Sequence, residues 1–112
     1  MAPIKFPFNI QEFFDKCVKH KNIPRNDFEK QAILITLVSE FKSGVKYPEQ
    51  EVNELIKKHF EDYTSLRREL INFGYMQRNS STGEYWVVKR ELTEDDIKNN
   101  TRLREHAKAY SL

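Results

Sequence analysis

Apolar residues recur at helical spacing in five stretches of the chain. They predict helices at about residues 9–21, 27–42, 48–60, 62–73 and 93–109. The second stretch is apolar around most of its circumference, so we expect its helix to be central and buried. Asn9 and Asp62 are suitable N-caps for the first and fourth helices. Gly44 and Gly74 follow the second and fourth helices and are plausible C-terminal stops.

A hairpin follows the fourth predicted helix. Residues 75–79 and 84–88 predict two strands, and the loop between them ends in Gly83, as hairpin loops often do. A short extended stub at residues 45–47 can pair with the hairpin as a third strand. From residue 27 onward the order is helix, short strand, helix, helix and hairpin. That order is typical of a winged helix-turn-helix.

The predicted fold is therefore mainly α with a small β-hairpin wing, in the α+β class. It is a winged helix-turn-helix with added N- and C-terminal helices. The chain has 112 residues, which fits one domain over residues 1–112. We expect its core at about residues 22–90, with the added helices at about 9–21 and 93–109.

Charge gives little guidance about partners. The chain has 19 Lys and Arg and 17 Asp and Glu, a formal net charge of +2. Residues 45–90 contain eight basic and seven acidic side chains. Nucleic-acid-binding proteins usually show a clearer basic excess. Any positive surface must therefore arise from how the charges are sorted in space.

The single cysteine, Cys17, excludes an intrachain disulfide and suits a reducing compartment. The N-terminal residues lack the apolar run of a signal peptide. No apolar stretch approaches the roughly 20 residues that cross a bilayer. We therefore expect a cytoplasmic protein with no membrane partner.

Three blocks of sequence resemble a known family. They are YPEQEVNELI at residues 47–56, DYTSLRRELI at 62–71, and GYMQR at 74–78 followed by Tyr85-Trp86. Over about residues 22–89 the chain resembles the bacterial family known as Domain of Unknown Function 2087. The resemblance implies a winged-helix-like module, often attached to transcription-regulator domains, and brings no established activity. Members tend to have a basic run where residues 25–30 are mixed in charge here.

The fourth predicted helix is the candidate recognition helix. Its outward face would offer Arg68, which can bond guanine bidentately, and Asn72, which can bond adenine. Phosphate contacts could come from the hydroxyls of Thr64 and Ser65 and from Arg67. Lys57 and Lys58 lie on the preceding helix, and Arg78, Lys89 and Arg90 flank the hairpin. The predicted nucleic-acid-binding residues are Thr64, Ser65, Arg67, Arg68, Asn72, Lys57, Lys58, Arg78 and Lys89.

Two alternatives accompany this interpretation. The two arginines of the fourth helix could instead pair with glutamates at positions 49, 51, 54 or 69 and form an ordinary solvated surface, as helical charges often do. The strand aromatics Tyr75, Tyr85 and Trp86 could stack on bases. They more often cover a small core, which is the interpretation we favour for them.

Catalytic chemistry has little support. His20, His59 and His106 are scattered and have no metal-ligand spacing with Cys17. There is no glycine-rich phosphate loop and no nucleophile elbow. We expect a protein that is not an enzyme, with no catalytic residues, no metal site and no cofactor.

These observations predict a non-catalytic, DNA-binding transcriptional regulator of winged-helix type, with duplex DNA as its partner. The alternative function is a protein–protein interaction or dimerisation module that uses the same fold without nucleic acid. In that case the partner would be a second copy of the chain or a regulatory protein. The last helix is the candidate surface for such a contact.

Overall fold

The computed structural model describes residues 2–112, in six helices and three short strands. In chain order these are α1 (Ile10–Lys19), α2 (Asp27–Val38), β1 (Tyr47–Pro48), α3 (Glu49–Lys57), α4 (Tyr63–Asn72), β2 (Met76–Arg78), β3 (Glu84–Val87), α5 (Glu94–Lys98) and α6 (Thr101–Ala107). A single 3₁₀ turn, Lys108–Tyr110, follows α6.

Residue contacts group the chain into two units. The terminal unit comprises the residues up to Ile33 together with Glu91–Leu112, and the central unit is Leu34–Arg90. Helix α2 contributes its first half to the terminal unit and its second half to the central unit. One domain over residues 1–112 stays a prediction.

The central unit has the predicted winged-helix-like order. Its three strands form an antiparallel sheet in the order β1-β3-β2, with Tyr47 opposite Tyr85 and Met76 opposite Val87. The α+β class and the third strand are confirmed, although that strand lies at Tyr47–Pro48 rather than at residues 45–47. The strand pairs are short, so side-chain packing must supply most of the stability of this sheet.

Helices α3 and α4 form from local signals and pack through their apolar stripes. Helix α3 begins directly after Pro48, where proline suits a helix start. The Asp62 side chain accepts a hydrogen bond from Ser65 N (3.3 Å) and caps α4. The side chains that these two helices bury completely are Val52, Ile56, Leu66 and Leu70.

Helix α4 ends in a Schellman motif that leads directly into the hairpin. Gly74 has φ +79°, and its N–H donates to Ile71 O (3.0 Å). Tyr75 N donates to Leu70 O (2.9 Å). These two bonds satisfy carbonyls that would otherwise be left at the helix end, and they require the left-handed backbone that glycine tolerates. The chain then enters β2 with Tyr75 and Met76 buried.

Helix α2 ends at Val38, four residues before the predicted end at residue 42. Glu40 N donates to Leu37 O and Phe41 N to Val38 O, both at 3.1 Å, so the last turn tightens into 3₁₀ geometry. The Arg90 guanidinium donates to Val38 O (2.9 Å) and to Phe41 O (2.5 Å). Arg90, which we expected to flank a nucleic-acid surface, therefore satisfies backbone carbonyls at the end of α2.

The terminal unit is built around helix α1 and an aromatic cluster. Asn9 caps α1 as predicted and accepts from Glu12 N (3.0 Å), while Phe14 and Cys17 are buried. The segment before α1 is ordered by a hydrogen bond from Ile4 N to Leu92 O (2.8 Å). Five aromatic rings meet beside it, at Phe6, Phe8, Phe13, Phe28 and Tyr110.

The predicted single helix at residues 93–109 is wrong, because the structure has α5 and α6 in its place. Thr93 and Asp96 form a capping box at the start of α5. Asn100 then starts a second helix, since its side chain accepts from Leu103 N (3.0 Å). Asparagine competes with the helical backbone for hydrogen bonds and so favours such a break.

Helix α6 packs within the terminal unit. His106 Nδ1 accepts a hydrogen bond from Asp27 N (2.6 Å), and Asn26 Nδ2 donates to His106 O (3.2 Å). Leu103 and Ala107 are buried on its inner face. The short helix is therefore ordered by both polar and apolar contacts.

The break between α5 and α6 can be tested with two adjacent asparagines. We expect Asn100→Ala to lower the free energy of unfolding by about 1 kcal/mol, because it removes a side-chain N-cap. Asn99→Ala is the matched control, since the Asn99 side chain is exposed and caps no helix start. Urea unfolding followed by circular dichroism measures both variants. Equal losses in the two would contradict the capping role of Asn100.

Candidate nucleic-acid interface

Helix α4 has one buried side and one solvent-facing side. Leu66 and Leu70 are fully buried on the inner side. Arg68 and Asn72 are exposed, and Thr64 is half-buried. These three residues are spaced by four, so they share one face of the helix. This outer face, defined by Thr64, Arg68 and Asn72, is the predicted recognition surface.

Arg68 is the available cation of the outer face. Its side chain is exposed and forms no hydrogen bond or ion pair with any residue of the described chain, 2–112. Asn72 donates to Glu69 Oε1 (3.0 Å), a bond within the same helix. Ser65 is half-buried, and its backbone N–H is used by the Asp62 cap. Arg68 thus has all five of its N–H donors available to a ligand.

Arg67 has a different environment from its neighbour. Only 14% of its side chain is exposed. Its Nη1 donates to Asn53 Oδ1 (2.5 Å), and its Nε lies 3.8 Å from Glu49 Oε1. Arg67 therefore connects α4 to α3. The alternative of pairing with Glu49 is confirmed for Arg67, whereas its phosphate contact stays a prediction.

The Glu49 carboxylate is the meeting point of four elements, its own helix α3 and three others. Its Oε1 accepts a hydrogen bond from the Tyr85 hydroxyl on β3 (2.8 Å) and lies 3.7 Å from Arg78 Nε on β2. We call these four residues, Glu49, Arg67, Arg78 and Tyr85, the Glu49 cluster. It joins the first turn of α3 to α4 and to both hairpin strands. A carboxylate in the first turn also suits the helix dipole.

The cluster lowers the pKa of Glu49 and raises the pKa of Tyr85. The hydrogen bond from Tyr85 and the charges of Arg67 and Arg78 hold the pKa of Glu49 below its ordinary value. Burial, with the hydrogen bond to Glu49, raises the pKa of Tyr85. The phenol therefore remains protonated and the carboxylate ionised, the forms that their hydrogen bond requires.

The predicted lysines are dispersed around these helices. Lys57 Nζ lies 4.9 Å from the Tyr63 ring centroid, and Lys89 Nζ lies 4.7 Å from that of Tyr75. Lys57 and Lys58 are exposed at the C-terminal end of α3, whereas Lys89 is half-buried. Arg78 is 41% exposed beside Glu49. Of the nine predicted residues, Arg67 and Arg78 meet on Glu49, while Thr64, Arg68 and Asn72 share the outer face of α4.

The hairpin tip is a polar turn organised by the Asn79 side chain. Asn79 Oδ1 accepts from Ser81 N (2.8 Å) and from Thr82 N (3.2 Å). Its loop contains no basic residue. The loop itself thus provides no cation. Arg78 directly precedes the loop, with its guanidinium beside Gly83, and Lys89 follows the end of β3.

Sequence reasoning missed the roles of Asn53 and Tyr85 in this site. Tyr85 was expected in the core, and its ring is buried, but its hydroxyl also reaches Glu49. The alternation of strand residues could have placed its ring inward. The partner of its hydroxyl is 36 positions away in the chain, beyond the range of any periodic pattern.

The histidines and the cysteine of the described chain, 2–112, form no metal site, and no group of three His, Cys, Asp or Glu there could hold a metal ion. His59 Nε2 lies 2.7 Å from Glu40 Oε2. Cys17 is buried, and burial raises its pKa. A raised pKa keeps the thiol protonated and poorly nucleophilic.

The family model described as "Uncharacterized protein conserved in bacteria (DUF2087)" matches residues 19–87. The chain belongs to this family. The match contains helices α2, α3 and α4 and all three strands, and it leaves out α5 and α6. The family resemblance of the sequence blocks is thereby confirmed. No curated protein and no solved structure matches this DUF2087 member. Within its residues 2–112, none of the helices is long and apolar enough to traverse a lipid bilayer.

The Glu49 cluster predicts a pH-dependent contribution to stability. We expect Glu49→Gln to lower the free energy of unfolding at neutral pH by about 0.5–1 kcal/mol, because the side chain is partly exposed and its ion pairs are screened. The folded-state pKa of Glu49 is depressed. Its contribution is therefore present above the ordinary pKa of 4.5 and is lost as pH falls through the depressed pKa.

Denaturant unfolding at several pH values measures the difference between wild type and Glu49→Gln. Glu51→Gln is the matched control, since Glu51 is exposed one turn or less away on α3 and has no ion pair among residues 2–112. A difference for Glu49→Gln that persists unchanged in acid would contradict the proposed electrostatic origin.

Proposed function

We propose that this DUF2087 member is a non-catalytic regulator that binds duplex DNA through the outer face of α4. The observation that carries the proposal is the exposed, uncompensated guanidinium of Arg68 at the centre of that face. Thr64 and Asn72 lie one helical turn to either side. A helix about 10–12 Å wide fits the major groove, and arginine is the side chain that most often reads guanine there.

The connection between α3 and α4 supports the helix-turn-helix part of this proposal. Helices α3 and α4 are joined by a short turn in which Phe60 is buried. Arg67 holds α4 to α3 through Asn53 and Glu49. A recognition helix that is fixed before binding loses less conformational entropy when it enters the groove.

The hairpin is positioned by the same carboxylate as the helix. Tyr85 on β3 and Arg78 on β2 both contact Glu49. A duplex that receives α4 would therefore meet the hairpin at a set distance. Lys58 and Lys57 at the end of α3 are the exposed cations that could contact the phosphate backbone.

Weak binding is expected from the charge balance. The central unit contains nine basic and eight acidic side chains. Three of its arginines, Arg67, Arg78 and Arg90, already have partners in the fold. Few cations thus remain to displace counterions from DNA, and non-specific affinity depends mainly on that displacement.

The salt dependence of binding tests the proposal directly. We expect fluorescence anisotropy with a short mixed-sequence duplex to show binding at low salt. The slope of log K against log salt should correspond to roughly two to four phosphates. The double variant Lys57→Gln/Lys58→Gln should reduce the magnitude of that slope by about two. Absence of binding at low salt would refute the DNA proposal.

Arg68 should be tested on a sequence selected with the wild-type protein from a random duplex library. We expect Arg68→Ala to weaken that complex by about 1–3 kcal/mol, because a bidentate contact to guanine is lost. Arg25→Ala, an exposed arginine of the terminal unit without an ion pair in the described chain, is the control. If both variants bind like wild type, Arg68 does not read a base.

A second candidate function is a protein interaction or dimerisation module. It is favoured by the exposure of Val45 (39%), which precedes β1 in the chain, and of Val88 (50%), which directly follows β3. Exposed apolar area of this kind can mark a protein contact. Analytical ultracentrifugation separates dimerisation from DNA binding, since it needs no nucleic acid.

A further inference from the structure

A cleft lies in the terminal unit among the N-terminal segment, α5 and α6. Its volume is about 790 Å³, within the range of sites for small organic molecules. Every residue that lines it falls outside residues 19–87, the part matched by the DUF2087 model. The cleft is therefore built by the segments that flank the family module.

The cleft has more basic than acidic lining. Its cations are Lys5, Lys98, Arg104 and Lys108, and its acids are Glu94 and Asp95. Arg104 Nη1 donates to Lys98 O (3.2 Å), and Lys108 Nζ pairs with Glu105 Oε1 (3.0 Å). The ammonium groups of Lys5 and Lys98 form no hydrogen bond or ion pair with residues 2–112. Two ammonium groups in the lining thus have no ion-pair partner within 4 Å among residues 2–112.

Apolar side chains complete the lining. Ile97 is mostly buried at 9% exposure, Ile4 is half-buried, and Leu112 is half exposed. Pro3 lines the same space. A ligand that covered these side chains would remove apolar surface from water, which favours binding. The cleft therefore combines an apolar surface with uncompensated cations.

We propose that this cleft binds a small amphipathic anion, an organic molecule with one carboxylate or phosphate group on an apolar body. The anionic group lies against Lys5 and Lys98, and the apolar body covers Ile4 and Ile97. Glu94 and Asp95 disfavour a second anionic group through like-charge repulsion. The ligand thus has a single anionic group rather than several, and the inference stands independently of DNA binding.

Four probes separate the two parts of this recognition. Octanoate and octyl phosphate have both an apolar chain and an anion, octanol has only the chain, and acetate has only the anion. We expect saturable binding of octanoate or octyl phosphate to the full chain by titration calorimetry, with octanol and acetate at least tenfold weaker. Comparing the two amphipathic probes distinguishes a carboxylate ligand from a phosphate ligand.

Two double variants test the residues. Lys5→Gln/Lys98→Gln should weaken binding of the better probe at least tenfold. Lys16→Gln/Lys19→Gln removes two exposed lysines of α1, in the same unit but outside the cleft. This variant should bind the probe as tightly as wild type. Because all four lysines are exposed, the variants should unfold like wild type. Equal loss in both variants, octanol binding as tight as octanoate, or no saturable binding of any probe would overturn the proposal.

Discussion

The Glu49 carboxylate connects helix α3 to α4 and to both strands of the hairpin. One oxygen receives the Tyr85 hydroxyl, and the two arginines beside it come from α4 and from β2. The apolar stripes of α3 and α4 bury surface, but apolar contacts are not directional and do not by themselves align individual side chains. A hydrogen bond to an ionised group is directional and stronger than a neutral one. The hydrogen bond from Tyr85 thus joins β3 to α3. Arg67, through its hydrogen bond to Asn53 and its ion pair with Glu49, holds one side of α4 to α3.

The charges of this protein act mostly on its own fold. Arg67 and Arg90 contact groups within the central unit, while Asp27 in the terminal unit pairs with Lys30 and Arg102. A net charge near zero does not distinguish such engaged cations from available ones. Arg68 differs from Arg67 by one position in sequence, and that step of about 100° turns it from the α3 contact to solvent. The proposed DNA contact of α4 depends on that difference.

Local signals in the sequence predicted much of the fold. Asn9, Asp62 and Gly74 each mark a helix end through a bond to a residue only a few positions away. The end of α2 was missed, because Arg90 is 52 positions from the carbonyl of Val38. Asn100 offered a local signal for the break between α5 and α6, but the apolar spacing of the segment outweighed it. The sequence could not distinguish the available Arg68 from the engaged Arg67, because the partners of Arg67, Glu49 and Asn53, lie on another helix.

Arg90 has a consequence for how this surface is mapped by mutation. Its guanidinium spans two carbonyls and also bonds the Ser43 hydroxyl. A lysine at that position would keep the positive charge and lose the planar fork that reaches both oxygens. A scan that exchanges arginine for lysine to locate electrostatic contacts would thus record a loss of activity at residue 90. That loss would come from a destabilised end of α2 and not from a missing contact to a ligand.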